Sequence, residues 1–481
     1  MNKIDYGSFL NKDLIRYIPV KILPALSGLM TIFFLTRFLP LKLYSDYTFL
    51  AASILLFIQL IAGWSNSSII FFFNDFKDNR SLEHFKLNVI FFQLIIFILG
   101  TFGFMIVVYL GIKNYKLVTI CLLLMFFQII LGLFYSFLQA EREIILQVKS
   151  TIIQSSIQFF GIIICFYYKI ENLINIFLVI SSSYFISILF LFFTYHFKKD
   201  VNYFKIRSII DFKIAKKLFK YGLPVCIWFF ATQFYAIGDR ILLKYFNIND
   251  LVGNYASFRD LSVGLSGFIT MPLLMASHPI IMKMWKENVN IFEIELLLAK
   301  NIKLLITFFS IVFIGLFLVG DWVLSYIVGE KYLLDNNLMF FVLVSIFLGT
   351  VSIYLHKGLE VTGKTILMTK IALFVSICSF LLNYFLLPIY GVRAACIISL
   401  LSQFFYSILT YFFSKKIFKI KISYLFIFKN FGLVLLVFFL NYFLFKLNIN
   451  NLARLFLFLM FSSYLFIISN EIKETFKIYK F

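Results

Sequence analysis

Charge is scarce in this chain, and acidic charge is scarcest. Asp, Glu, Lys and Arg make up 14% of the 481 residues, and 44 Lys and Arg face only 23 Asp and Glu, a formal net charge of +21. A soluble domain carries about a quarter charged residues, so an ordinary water-exposed surface is excluded. Long polar stretches are missing too, since no segment between apolar blocks reaches the roughly 50 residues of a folded soluble domain. Cysteine occurs only at Cys121, Cys165, Cys226, Cys378 and Cys396. All five lie inside apolar blocks without paired spacing, so neither disulfides nor a metal site is expected and they read as small core residues. The four histidines, His84, His196, His278 and His356, have no convergent partner in sequence and read as structural, with a proton relay as the other reading. No paired-carboxylate, Cys-His or metal-ligand constellation is visible, so the chain is expected to be no enzyme and to hold no cofactor.

What is present is apolar: 62% of the residues are hydrophobic. They come in blocks of roughly 18 to 30, long enough to cross a hydrocarbon core of about 30 Å as helices. The fold class is therefore an all-α polytopic membrane protein. Helices are expected near 14 to 39, 47 to 73, 87 to 112, 117 to 140, 150 to 168, 173 to 197, 218 to 246, 251 to 282, 302 to 328, 338 to 356, 366 to 389, 392 to 413, 424 to 445 and 452 to 469, about fourteen spans. The segment from Met1 to Asp13 is polar and the first apolar block is full length, so that block is expected to stay in the protein as a helix.

The basic excess is sided. About 30 Lys and Arg fall in the N-terminus, the even-numbered loops and the C-terminus, against about 10 in the odd-numbered loops, which places both termini in the cytoplasm. Topology thus accounts for a net charge that would otherwise point to nucleic acid, and no nucleic-acid partner is expected. The loop after the sixth block carries Lys198, Lys199, Lys205, Arg207, Lys213, Lys216, Lys217 and Lys220. It reads as a topology determinant, with a grip on anionic lipid heads as the alternative.

Two halves are visible. FLPLKLYSDYTF from Phe38 lines up without gaps on FNINDLVGNYAS from Phe246, matching Phe38, Leu43 and Tyr47 to Phe246, Leu251 and Tyr255. Both segments join two helices after an odd-numbered span, which predicts two pseudo-repeated six-helix halves, residues 1–208 and 209–415, with a C-terminal helix pair and tail in 416–481. The seven prolines (Pro19, Pro24, Pro40, Pro224, Pro272, Pro279 and Pro388) all fall within helices or at their ends. Kinks there suit either alternate opening to the two sides or a static bend.

A few charges sit inside apolar blocks. Asp239 and Arg240, in AIGDRILLKYF, lie about six or seven residues before the outer end of the seventh block, roughly 10 Å below the surface. Arg259 and Asp260, in YASFRDLSVG, lie at about the same depth in the eighth. Cross-helix pairing of Asp239 with Arg259 or Arg240 with Asp260, or snorkelling, is the structural reading. The functional reading has the arginines facing a polar cavity and holding an anionic head group, with the aspartates balancing charge or binding a coupling cation, H+ or Na+. Only 9 of the 44 basic residues are Arg, yet both deep bases here are Arg, whose planar fork binds phosphate bidentately. Lys21, between Pro19 and Pro24, adds a third cation or snorkels to the surface. Glu141, Arg142 and Glu360 read as solvated turn residues.

These motifs carry a resemblance. Gly222-Leu223-Pro224, Asp239-Arg240, then Gly253, Tyr255 and Ala256 resemble the O-antigen-type flippases, the polysaccharide-transporter branch of the multidrug/oligosaccharidyl-lipid/polysaccharide superfamily. Gly363-Lys364-Thr365, Asn383, Pro388, Tyr390-Gly391 and Ala394-Ala395 are similar to that family's later segment. The resemblance implies two six-helix bundles flanking a cavity. It also implies movement of an undecaprenyl-pyrophosphate-linked oligosaccharide repeat unit, an O-antigen or capsule precursor, from the cytoplasmic to the periplasmic leaflet of a bacterial inner membrane. Its implied partners are that lipid-linked oligosaccharide, inner-membrane lipids, and the polymerase and chain-length regulator of the same pathway. On this reading Lys21, Arg240 and Arg259 contact the pyrophosphate, and Asp239 and Asp260 balance charge or couple an ion. The rivals are a multidrug efflux transporter of the same superfamily, which calls for an acidic cavity, and a membrane glycan polymerase, which calls for a large outer loop.

Overall fold

A computed structural model describes residues 23–76, 79–141, 143–195, 211–248, 251–447 and 449–468. Among these residues the elements are α-helices and short 3-10 turns: α1 (Leu23–Phe38), α2 (Leu41–Phe72), α3 (Asn79–Ile112), α4 (Tyr115–Glu141), α5 (Ile144–Tyr167), α6 (Leu173–Thr194), α7 (Phe212–Ile237), α8 (Asp239–Tyr245), α9 (Val252–Lys286), α10 (Ile291–Val328), α11 (Asn336–Leu355), α12 (Lys357–Val361), α13 (Thr365–Tyr390), α14 (Val392–Ser414), α15 (Tyr424–Lys446) and α16 (Asn451–Ile468). Among the described residues, ten segments are long and apolar enough to cross a membrane, and two more, Leu23–Phe38 and Asn451–Ile467, are apolar but shorter. The apolar runs led to an expectation of fourteen.

Local chemistry sets where these helices begin and end. Asn172, Asp211, Asn290 and Asp335 precede α6, α7, α10 and α11, and each side chain accepts the N–H two residues on, satisfying a donor that the first turn leaves free. The α10 start lies eleven residues before the expected 302. Its first turns carry Glu293, Glu295 and Lys300, which hydropathy excludes from a span but which an Asn290-capped helix tolerates outside the lipid. Gly391 ends α13 at φ +55°, with its N–H bonded to Leu387 O at 2.8 Å; this left-handed position favours glycine.

The contacts divide the chain into two compact units. One comprises residues 15–256 and 365–395. Its core joins Trp64, Ile69, Phe72, Phe85, Phe137, Leu191 and Leu218. The tightest seam lies between α2 and α7, where Trp64 stacks on Phe219 with centroids 4.3 Å apart and Phe71 on Tyr221 at 4.1 Å. Ser68 Oγ donates to Leu218 O at 3.0 Å across the same seam. Polar side chains bind other helices within the unit: Ser65 Oγ donates to Gln93 Oε1 at 2.6 Å and Ser187 Oγ to Ser150 O at 3.1 Å. Small and hydroxyl residues hold helices together where lipid removes the hydrophobic drive between them. In the same unit α13 meets α7 through Thr369 Oγ1, which donates to Pro224 O at 2.9 Å.

The second unit comprises, of the described residues, 257–364 and 396–468. Ile281, Ile294, Leu298, Ile302, Leu305, Val351, Tyr354 and Phe418 form its core. Gly315 of α10 lies 3.1 Å, measured from an added Cβ, from the Phe458 ring of α16. Cys121, Cys165, Cys226 and Cys396 are buried and Cys378 half-buried.

Candidate functional site

The expected single helix over 218–246 is two helices. A Cβ on Gly238 would stand 2.5 Å from Phe234 O, closer than real Cβ atoms come, so only glycine occupies the joint. Gly238 N–H still bonds Phe234 O at 2.7 Å, and α8 begins at the next residue. Asp239 is 6% exposed and Arg240 4%. The Asp239 carboxylate turns back on the chain: Oδ1 accepts the Arg240 N–H at 2.9 Å, and Oδ2 accepts the hydroxyl of Tyr255, which is fully buried. Donors to both oxygens hold a carboxylate that would otherwise be costly to bury. At the other end of α8, Lys244 is ion-paired with Asp46 of α2, and its charge favours the helix C-terminus.

Arg259 and Asp260 lie on α9, in the second unit. Arg259 is 3% exposed, and its Nη1 donates to Ser399 Oγ at 3.0 Å; Ser399 in turn shares a 2.8 Å hydrogen bond with Ser345. One of the five guanidinium donors is therefore committed to a serine pair. Asp260 is half-buried. Lys21 lies outside the described residues. The site residues named from sequence thus fall as Asp239 and Arg240 on α8 and Arg259 and Asp260 on α9. All four are at least partly withdrawn from the surface, as ionisable side chains at membrane depth are.

Sequence reading missed the partners of these groups and two further clusters. Tyr255 stands out in the sequence as a repeat match, but nothing there ties it to Asp239, 16 residues away. Glu141, expected to be a solvated turn residue, ends α4 and is ion-paired with Lys86 at 2.9 Å, while Lys86 also donates to Tyr195 Oη at 3.2 Å. Burial pushes the Tyr195 phenol well above its ordinary value and the Glu141 carboxylate adds to the rise, so Tyr195 accepts from Lys86 as a neutral hydroxyl. Arg142 and His196 lie outside the described residues, and His84 is exposed. Glu360, also expected in a solvated turn, lies on α12 and is ion-paired with Lys357 at 2.5 Å.

A family described as polysaccharide biosynthesis protein matches residues 10–285, more than half of the chain. No curated protein matches in sequence. In fold the chain is similar to the lipid II flippase MurJ in an inward closed conformation, with a TM-score of 0.69 at 15% identity over 98% of this chain and 99% of that one. It is similar to an inward-facing multidrug resistance MATE family transporter of the MOP superfamily, with a TM-score of 0.62 at 13% identity over 83% of this chain and 97% of that one. MATE in complex with MaD3S gives a TM-score of 0.56 at 14% identity, over 86% of this chain and 96% of that one. At such identities the likeness is one of fold. The chain therefore belongs to the family of polysaccharide biosynthesis proteins, as a multi-pass membrane protein with the fold shared by MurJ and the MATE transporters.

Proposed function

We propose that the protein is a flippase carrying an undecaprenyl-pyrophosphate-linked oligosaccharide repeat unit, an O-antigen or capsule precursor, from the cytoplasmic to the periplasmic leaflet of a bacterial inner membrane. The observation that carries this reading is the family match over residues 10–285 joined to a MurJ-like fold over 98% of the chain. The physical need is plain: sugar hydroxyls entering hydrocarbon lose water without replacement, at a cost of several kcal/mol per group. A protein that alternates access keeps the polar head in a polar path while the lipid tail stays in the bilayer.

In this scheme Arg240, Arg259 and Lys21 contact the pyrophosphate, and Asp239 and Asp260 balance charge or bind a coupling H+ or Na+. Arg240 and Arg259 suit the task because a buried guanidinium retains its charge and offers paired N–H donors to phosphate oxygens. Lobes of residues 1–208 and 209–415 move against one another, 416–481 stays peripheral, and both termini are cytoplasmic. The polymerase and chain-length regulator then receive the unit in the outer leaflet.

Deleting the gene in its host and following lipid-linked intermediates tests the reading. Loss of surface polymer with completed single repeat units accumulating on the cytoplasmic leaflet is expected. Single units that reach the outer leaflet unpolymerised would place the protein after transport, as a polymerase. Unchanged glycans with altered drug sensitivity would make it an efflux transporter.

A further inference from the structure

The proposed route leaves unused a cluster of titratable side chains in the unit of residues 257–364 and 396–468. At the junction of α11 and α12, the Lys357 side chain is 2% exposed. Its Nζ lies 2.8 Å from Nδ1 of His278, on α9, and 2.5 Å from Oε2 of Glu360. The other Glu360 oxygen, Oε1, is 3.5 Å from the same His278 Nδ1. Behind them, His356 places Nε2 at 3.9 Å from Glu360 Oε2 and Nδ1 at 3.4 Å from the Tyr406 hydroxyl of α14. The His278 and Glu360 side chains are 38% and 27% exposed, so the front of the cluster is open while Lys357 and His356 form its buried back.

An ammonium has three donors and no acceptor. Beside a charged Lys357, His278 Nδ1 therefore accepts, and the ring is neutral with its proton on Nε2. Lys357 and Glu360 then cancel, and the cluster carries no net charge with both imidazoles neutral. A further proton taken up at His278 finds its counterion in Glu360, whose Oε1 already faces Nδ1. A protonated Nδ1 cannot face an ammonium at 2.8 Å, so the proton and the lysine compete for one carboxylate. Among the described residues, the surrounding elements add no other acid to the contact. From α10 the core residues beside α9 and α12 are Ile294, Leu298 and Ile302. The Glu295 carboxylate accepts the Lys419 N–H at 2.6 Å, Lys303 lies over the Phe426 ring at 5.6 Å, and Lys300 is a further α10 charge. From α11, Tyr354 accepts a 3.5 Å hydrogen bond from Ser277 of α9, and from α14, Ser414 Oγ accepts the Gly358 N–H at 3.0 Å. Pro272 and Pro279 each remove a backbone N–H from α9 on either side of His278, which leaves that stretch of helix easier to bend.

We propose that this cluster is a proton-binding site in which His278 takes up one proton against Glu360 and displaces Lys357, so that protonation releases the lysine contact between α12 and α9. The consequence, coupling of that proton to transport, rests on the flippase reading; the binding of the proton does not.

With four histidines in the chain, the test is nitrogen NMR of the full-length protein in lipid bilayers with labelled histidine. The His278 line is assigned by its loss in His278→Gln and compared with that of the exposed His84. Lys357→Met and the nearly isosteric Glu360→Gln should shift the pH at which the His278 line titrates in opposite directions, by about one unit or more each. A midpoint unmoved in both variants overturns the site. In proteoliposomes, the ratio of transport rates with and without a pH gradient should collapse to unity in His278→Gln and Glu360→Gln; a ratio that stays at the wild-type value overturns the coupling. NMR linkage between the three side chains in a protein that moves no lipid-linked sugar would uphold the site and overturn the flippase reading.

Discussion

Gly222 sits where α7 meets α2, and replacing it with alanine has a cost that follows from the geometry. The added methyl carbon would stand 2.3 Å from Trp64 O and 2.5 Å from Ser68 Oγ, where ordinary contact begins at 3.4 Å. The first of these atoms belongs to the backbone and cannot rotate away, so the helices must part by roughly 1 Å. That strains the Ser68–Leu218 hydrogen bond and the stacking of Trp64 on Phe219. Overpacking of this kind costs about 1–3 kcal/mol and loss of the hydrogen bond about 1 kcal/mol. Relief of glycine's helix penalty offsets about 0.5–1 kcal/mol, leaving a net destabilisation of ~2 kcal/mol. Gly267, with nothing within 4 Å of an added Cβ, is the control: Gly267→Ala should be neutral or stabilising by about 0.5–1 kcal/mol. The assay is thermal melting of the purified detergent-solubilised proteins, followed by size-exclusion chromatography. Gly222→Ala should melt several degrees below Gly267→Ala; equal melting would refute the close approach of α2 and α7.

Three further outcomes are expected. Tyr255→Phe withdraws the hydroxyl from Asp239 and should lower stability by about 1–3 kcal/mol, with the loss largely absent in an Asp239→Ala background; equal losses in both backgrounds would dismiss the contact. The Lys86–Glu141 pair, partly exposed, should show a coupling of about 0.5–1 kcal/mol in a double-mutant cycle with Lys86→Met and Glu141→Gln, falling as salt rises. Arg240→Ala and Arg259→Ala, at matched expression, should fail to restore surface polysaccharide even when joined to Asp239→Asn and Asp260→Asn. Restoration by the neutralised pairs would assign these charges to structure alone.

Helix positions were legible because lipid demands long apolar runs, and α13, Thr365–Tyr390, falls within a residue of the expected 366 to 389. The resemblance to the polysaccharide-transporter branch was legible as well, since Gly222-Leu223-Pro224 stands where a backbone approach requires glycine and a proline carbonyl takes a hydrogen bond from Thr369. The joint at Gly238 was not, because hydropathy reports affinity for lipid and is blind to a break in helical continuity within one apolar run. The charged start of α10 was hidden for the converse reason: a helix continues past the hydrocarbon edge as long as it is capped, as α10 is by Asn290. Side-chain partners were least legible. Glu360 reads as a turn residue until folding brings it to His278, 82 positions earlier on another helix, and Lys86 meets Glu141 across 55 positions. Periodicity within one segment carries no information about such pairs.

The most direct test of the flippase reading uses the purified protein in sealed vesicles containing a radiolabelled undecaprenyl-pyrophosphate oligosaccharide and an externally added glycosidase. Without flipping, cleavage stops at the fraction of lipid that began in the outer leaflet. With the protein present, cleavage should continue toward completion, and Arg240→Ala joined to Arg259→Ala should return it to the outer-leaflet plateau. Cleavage that halts at that plateau with folded wild-type protein in the membrane would contradict the claim that this chain moves lipid-linked sugar.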